Sequence, residues 1–207
     1  MSKKYSIVYA DPPWQYRDNL GKNPRYGGYT YPSMTLEEIK ALPVKDIVAK
    51  DAVLFLWCTM PKLEAGLEVI KAWGFSFTTV AFVWIKINKS ATNKECFRMK
   101  DIRTGIGHWT NSNAELCLLG RRGHIKRVKT NVKQIVIAPV TIHSAKPSEV
   151  RNRIVELMGD LPRLELFARL PEDGLFKDES YKGWDFWGNE VPLDKRVKLG
   201  IIKKEKA

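Results

Sequence analysis

Cysteine is scarce in this sequence and never clustered. Only Cys58, Cys96 and Cys117 occur, an odd and dispersed set that excludes a disulfide framework. Cys58 and Cys117 lie inside apolar runs and read as core thiols, which points to a reducing, cytoplasmic setting. Long hydrophobic runs are missing too: none approaches the ~20 residues a membrane helix needs. The first apolar stretch stops at Asp11, too short for the core of a secretory signal peptide. Histidine is equally thin. His108, His124 and His143 have no metal-ligand spacing to one another or to cysteine, so no metal site is expected. Aromatics, by contrast, are plentiful, with 7 Trp, 7 Tyr and 8 Phe among 207 residues. That content excludes a disordered chain and suits one packed domain.

Acidic residues are also in deficit, 23 against 35 basic, for a net charge of +12. The excess is local. Residues 86–133 carry twelve basic and three acidic groups, or +9, while the rest of the chain is nearly balanced. A surface chosen for solubility mixes signs. A block of one sign points to a polyanionic partner, most simply nucleic acid. Arg121, Arg122, Lys126, Arg127 and Lys129 form its densest cluster and are the candidate phosphate contacts.

Strand and helix patterns alternate along the chain. Continuously apolar strands are expected at Ser6–Ala10, Ala52–Cys58, within Phe75–Ile87, and at Ala114–Leu119, Ile135–Ala138 and Arg163–Ala168. Thr35 with Glu38 forms a capping-box pair for a helix ending before Pro43. Pro61 opens a helix carrying Leu63, Leu67 and Ile70 on one face and closed by Gly74. Pro147 to Met158 reads as an amphipathic helix with Val150, Ile154, Leu157 and Met158 on one stripe. Residues 88–113 form a long basic loop, and 121–133 a basic excursion resembling a hairpin. This order predicts an α/β fold with a mostly parallel sheet covered by helices on both faces. One domain is expected over 1–194, with a basic, frayed tail over 195–207. Ligands in such folds bind beyond the carboxyl ends of the strands. Two of those ends carry unusual residues, Asp11-Pro12-Pro13-Trp14 and Arg169.

The first of these has a definite chemistry. Two prolines fix the backbone and withhold their N–H groups, which leaves nearby carbonyls as acceptors. Asp11 adds a carboxylate and Trp14 a flat apolar face. A rigid set of acceptors beside a stacking platform complements a planar aromatic amine such as adenine. The 6-amino group of adenine is a poor nucleophile because its lone pair is delocalised into the ring. Accepting both its hydrogens at Asp11 and the Pro12 carbonyl localises that pair and stabilises the charge developing on nitrogen. Methyl transfer from a sulfonium donor is the reaction this suits.

These residues resemble the N6-adenine methyltransferase family typified by the catalytic subunit of the eukaryotic mRNA adenosine methylase, whose compact bacterial and phage relatives act on DNA. Asp11-Pro12-Pro13-Trp14 is similar to the family's catalytic motif. Tyr31-Pro32-Ser33-Met34, Leu54-Phe55-Leu56-Trp57, Val83-Trp84-Ile85-Lys86, Gly107-His108-Trp109-Thr110-Asn111, Lys146-Pro147 and Gly188-Asn189 follow in the family's order, over residues 5–191. The resemblance implies a Rossmann-like methyltransferase fold in which the catalytic motif precedes the cofactor-binding elements. It implies S-adenosyl-L-methionine as cofactor, held by Asp11, Lys146, Arg169 and Asn189. The target base would be handled by Asp11, Pro12, Pro13 and Trp14, with Tyr31, Lys86, Trp109, Asn111 and Glu115 lining or shaping its pocket.

Ala168-Arg169-Leu170-Pro171 stands where many methyltransferases carry a Gly-rich cofactor loop, as in the resembled family. An RNA adenosine methyltransferase and an inactive nucleic-acid-binding subunit are the alternatives. The intact Asp11-Pro12-Pro13-Trp14 favours activity. DNA is the expected substrate because the chain is nearly bare catalytic domain.

Overall fold

Alternate residues of the first strand, β1 (Tyr5–Ala10), face two different cores: Val8 and Ala10 on one side, Ile7 and Tyr9 on the other. That two-sided burial is why its sequence is apolar without alternation. The computed structural model describes residues 3–16, 32–91, 98–105, 107, 109–141, 145–169 and 178–199. In it β1 joins β2 (Val48–Cys58), β3 (Ser76–Ile87), β4 (Ala114–Arg122), β5 (Ile135–Pro139), β6 (Arg163–Leu166) and β7 (Trp184–Trp187). They form one seven-stranded sheet of order β5-β3-β4-β2-β1-β6-β7. All neighbours run parallel except β4, which is antiparallel to both β2 and β3. The expected mostly parallel sheet is therefore observed. β4 descends while its neighbours ascend, so the start of β4 lies beside their carboxyl ends.

Helices cover both faces. On one lie α1 (Leu36–Lys40), α2 (Val44–Ile47) and α3 (Leu63–Ala72), contributing Ile39, Val44, Val69 and Ile70 to the first core. On the other lies α4 (Glu149–Met158), contributing Val150, Ile154 and Met158 to the second. The Thr35–Glu38 capping box forms as expected, with the Glu38 N–H donating to Thr35 Oγ1 at 3.2 Å. Gly74 ends α3 with φ +81°, a left-handed turn that suits glycine.

Three local expectations need correction: the inward face of α3, the hairpin at 121–133 and the frayed segment from 195. The inward face of α3 is Gly66, Val69 and Ile70, while Leu63 and Leu67 each remain 37% exposed. Gly66 decides this: a Cβ there would sit 3.0 Å from Leu118 Cδ1, so α3 presses its glycine onto the sheet. The capped helix ends before Pro43 as expected, at Lys40, and a short separate helix, α2, follows the proline. The strand expected within Phe75–Ile87 is present as one long element, with register shifts near Phe77 and Val80. Residues 123–134 form no hairpin; they run under the end of α4, where the Val128 N–H donates to the Leu157 carbonyl at 2.8 Å. Residues 195–199 are packed, while 200–207, the rest of the expected tail, lie outside the described residues. The Val197 N–H donates to the Phe186 carbonyl at 2.9 Å, and Leu199 is buried.

Candidate active site

Asp11-Pro12-Pro13-Trp14 leaves the carboxyl end of β1. The Trp14 N–H donates to the Pro12 carbonyl and the Met34 N–H to the Pro13 carbonyl, both at 2.9 Å. The expectation that the prolines leave nearby carbonyls unbonded is corrected here, because the chain turns back on itself within two residues. A carbonyl has two lone pairs, so the Pro12 oxygen keeps one for a further donor. The Trp14 indole N–H donates to the Trp57 carbonyl at the end of β2, at 3.2 Å. That bond holds the indole against the neighbouring strand.

Four charged side chains from four separate segments meet at this end of the sheet. Lys146 Nζ, just before α4, donates to Asp11 Oδ2 at 2.7 Å and lies 3.3 Å from Glu115 Oε2 at the start of β4. Glu115 Oε1 accepts from Lys86 Nζ near the end of β3. The result is an alternating chain, Asp11–Lys146–Glu115–Lys86. Lys146 and Glu115 side chains are each only 8% exposed, whereas Asp11 is 27% exposed. Sequence order gives no hint of this: the antiparallel descent of β4 puts Glu115 here, and the long crossover from β5 to β6 delivers Lys146.

The electrostatics follow from burial and neighbours. Burial pushes the Asp11 carboxyl above its ordinary range; Lys146 pulls back and Glu115 adds to the rise. Glu115 is equally desolvated, but Lys146 and Lys86 outweigh that and hold it below its ordinary range. Lys146 loses solvation yet is raised, because carboxylates flank it on two sides. A buried ammonium shared by two carboxylates stays charged and fixes both in place.

Aromatic residues build the walls. Lys146 lies over the Trp57 ring at 5.7 Å and Lys86 over the Trp84 ring at 5.2 Å. The Trp57 indole donates to the Tyr9 hydroxyl at 2.7 Å. Beneath, Arg151 pairs with Glu165 through two bonds of 2.7 and 2.8 Å and stacks on Tyr181 at 4.1 Å. Tyr16, two residues past Trp14, shares a 2.6 Å hydrogen bond with Thr59 Oγ1 and closes the rim between β1 and β2. Sequence reading misses Tyr16 and the Arg151–Glu165 pair. The only signal for the pair is an arginine on the apolar stripe of α4.

The ends of β6 and β7 lie on the same side of the sheet, next to β1. Phe167 has φ 60°, a left-handed conformation uncommon outside glycine. A Cβ at Gly188 would lie 2.7 Å from the Ala168 carbonyl oxygen, so the two loops touch with no room for a side chain. Arg169 sits on this crossing, 3.5 Å from Glu190, and its charge acts on Asp11. Asn189 is exposed beside it. Cationic Arg169, the amide of Asn189 and the carboxylate of Asp11 together fit a ligand that carries a carboxylate and a cationic centre at separate points.

Other candidates fall elsewhere. Tyr31 lies outside the described residues. Trp109 is 100% exposed and Asn111 is exposed, so neither packs against the charge chain. Arg121 and Arg122 are at the far end of β4, paired with Val53 and Ala52 near the start of the β2 core run. Six residues of strand separate Glu115 from Arg121, about 20 Å at ~3.3 Å per residue. Lys129 pairs with Glu156 near the end of α4 at 3.1 Å. The antiparallel strand thus carries Arg121, Arg122 and Lys129, candidate phosphate contacts, away from Asp11. Residues 86–113 contribute six basic and two acidic groups; of their described residues, Lys86 pairs with Glu115 and Arg103 bonds to the Lys86 carbonyl at the Asp11 end. Among the described residues no cluster suits a metal ion and no helix could span a membrane.

The MT-A70 family model matches residues 5–190. The Type II methyltransferase M.MunI of Mycoplasma sp is 32% identical, over 93% of this chain and 80% of its own length. The human N(6)-adenosine-methyltransferase catalytic subunit METTL3 is 30% identical over 80% of this chain, but the match spans only 26% of METTL3. An Arabidopsis thaliana N(6)-adenosine-methyltransferase MT-A70-like protein is 28% identical over 98% of this chain and 26% of its own. A match running from the first strand to the loop after β7, through the motif that anchors the charge chain, places this chain in the MT-A70 family.

Proposed function

We propose that this protein is an S-adenosyl-L-methionine-dependent N6-adenine methyltransferase whose substrate is DNA. The observation that carries the reading is Asp11: a partly exposed carboxylate held by buried Lys146, in the segment that also carries the Pro12 carbonyl and the Trp14 ring. DNA is favoured over RNA because the likeness to the Type II methyltransferase extends over most of both chains. The adenosine methyltransferase relatives share only about a quarter of their length with this chain.

Each residue has a role in that reaction. Asp11 and the Pro12 carbonyl accept hydrogens from the exocyclic amine, and the amine nitrogen's lone pair turns out of conjugation. Lys146 keeps Asp11 ionised and aimed, and Glu115 and Lys86 keep Lys146 in place. Trp14 and Tyr16 flank the base. Arg169 and Asn189 hold the cofactor, with Asp11 near its cationic end; when bound it supplies an electrophilic methyl group. Preorganised charge in a water-poor site is the main source of rate here.

The deciding experiment is incubation with labelled S-adenosyl-L-methionine and either DNA or RNA, followed by digestion and identification of the methylated nucleoside. Label in N6-methyldeoxyadenosine supports the proposal. Label in N6-methyladenosine alone moves the substrate to RNA, and no label in either overturns the reading.

Cofactor binding offers a separate check. Arg169→Gln and Asn189→Ala are each expected to weaken S-adenosyl-L-methionine binding about tenfold or more by calorimetry, since a hydrogen bond to a charged ligand is worth about 1.5–3 kcal/mol. Unchanged affinity in both variants removes them from the cofactor site.

Phosphate contacts are expected at the Asp11 end. Replacing Lys89, Lys100 and Arg103 with Gln should make log affinity less salt-dependent, by about 0.9 in slope for each duplex phosphate that is no longer neutralised. Replacing Arg121, Arg122, Lys126 and Arg127 on a duplex just long enough for the site should change the slope less. If the second set moves the slope more, the nucleic acid runs over the far end of the sheet.

A further inference from the structure

Six of the seven tryptophans, at positions 14, 57, 73, 84, 184 and 187, are buried or half-buried. The seventh, Trp109, is 100% exposed. The largest apolar side chain standing wholly in water is the kind of exposure that marks a contact surface. Its support is specific. A Cβ at Gly105 would lie 2.1 Å from the Ser112 carbonyl oxygen, and one at Gly107 would lie 2.0 Å from that of Thr110. The two legs of this loop therefore touch, backbone to backbone, and glycine is what lets them. The stem is tied to the catalytic end of the sheet through one residue. The Arg103 N–H donates to the Lys86 carbonyl at 2.8 Å, and the Lys86 N–H donates to the Asn113 carbonyl at 2.9 Å. Lys86 is the outer member of the charge chain that ends at Asp11. The loop is thus a thin finger with an aromatic near its tip, rooted beside the candidate base pocket, in a stretch rich in lysine and arginine.

We propose that this finger is a wedge for a nucleic-acid duplex: Trp109 enters the base stack and occupies the gap left when the target adenine is extruded. This rests on the adenine methyltransferase reading and adds the substrate class, a paired duplex. A base within a duplex cannot reach a pocket such as that at Asp11, so it must leave the stack at a cost in unpairing and unstacking. An inserted apolar side chain recovers part of the lost stacking, and aromatic rings stack on any base regardless of sequence. A two-stranded ribbon can enter a major groove about 12 Å wide. Glycines at the points of closest approach keep this finger narrow. Exposed Lys89, Lys100 and Arg103 in the same stretch supply phosphate contacts that hold the duplex while the base turns out. A single-stranded substrate has no stack to hold open and no need of the finger.

The test uses three oligonucleotides with the same target strand: a fully paired duplex, a duplex mismatched at the target adenine, and the single strand. Wild type, Trp109→Ala and Trp109→Phe are compared for methyl transfer. Trp109→Ala is expected to lose about tenfold or more in kcat/KM on the paired duplex, the worth of one base–aromatic stack. On the mismatched duplex and the single strand the loss should shrink severalfold, and Trp109→Phe should recover much of the paired-duplex rate. In a parallel arm 2-aminopurine replaces the target adenine in the paired duplex. Its fluorescence should rise on binding wild type and rise much less with Trp109→Ala. An equal loss on all three substrates, or an equal 2-aminopurine response in both proteins, overturns the wedge while leaving the methyltransferase reading intact. A wild-type protein that brightens 2-aminopurine through Trp109 yet methylates no adenine fails the methyltransferase reading and keeps the wedge.

Discussion

Asp11→Asn is expected to slow methyl transfer by about 10²–10³-fold, the usual effect of removing one preorganised group that meets developing charge. The substitution keeps the side chain's size and one acceptor oxygen, but removes the negative charge and places an NH2 group where acceptors are needed. A donor facing the amine opposes the reorientation that frees its lone pair. The loss therefore belongs in the chemical step, in kcat, with the dissociation constant for S-adenosyl-L-methionine changed far less. Stability is not untouched. Asp11 is one of two carboxylates on buried Lys146, and breaking a buried pair completely costs about 3–5 kcal/mol. Glu115 still neutralises Lys146, so the cost should fall below that range, and a thermal melt should show a folded, moderately destabilised protein. Single-turnover transfer within a few-fold of wild type would remove Asp11 from the catalytic role. So would a protein already unfolded at assay temperature whose activity returns when it is stabilised.

Six of the seven strands, all but β7, and the Asp11 motif were legible in the sequence because their signals are local. A strand buried on both faces must be apolar throughout, and two prolines after it stop the ladder. Gly74 and the Thr35–Glu38 pair are likewise decided within a few residues. Non-local features were less visible. Glu115 could be singled out, but not its pairing with both Lys86 and Lys146, because that depends on β4 running against its neighbours. The same reversal misled the reading of charge. Residues 86–133 look like one basic block on paper, yet β4 separates Lys86, at the Asp11 end, from Arg121 and Arg122, about 20 Å from Glu115 at ~3.3 Å per strand residue. Leu63 and Leu67 misled for another reason. Hydrophobic spacing locates an apolar stripe, but the close approach at Gly66 decided which side of α3 meets the sheet.

Glu115→Gln is expected to destabilise the fold by about 3–5 kcal/mol at neutral pH, the range for breaking a buried pair by removing one partner. At about 2–4 °C per kcal/mol for a chain of this size, that is a fall of roughly 10 °C in Tm. Glutamine has nearly the same volume and keeps an acceptor, so the change isolates the charge. Lys86 loses its carboxylate, and Lys146 keeps only Asp11. The penalty should depend on pH in a definite sense. The Glu115 carboxyl is held below its ordinary value of 4.5 in the folded protein. Its contribution is therefore fully present above about pH 4.5 and is lost as pH falls through the lower folded value. Asp11 has the opposite sign. Its carboxyl is raised from 3.8, so the folded state takes up a proton more readily than the unfolded chain and gains relative stability as pH falls. In wild type the two contributions partly cancel in acid. Without Glu115, burial still raises the Asp11 carboxyl but one contribution to the rise is gone while Lys146 and Arg169 still oppose it, so its own pH dependence weakens too. The Tm difference between wild type and Glu115→Gln should thus be largest at pH 7 and shrink below about pH 4.5. Melts at pH 7, 5, 4 and 3.5 test this. A difference that stays constant across the series would mean Glu115 acts through its shape and not its charge, and the alternating ion chain would lose its place in holding the site together.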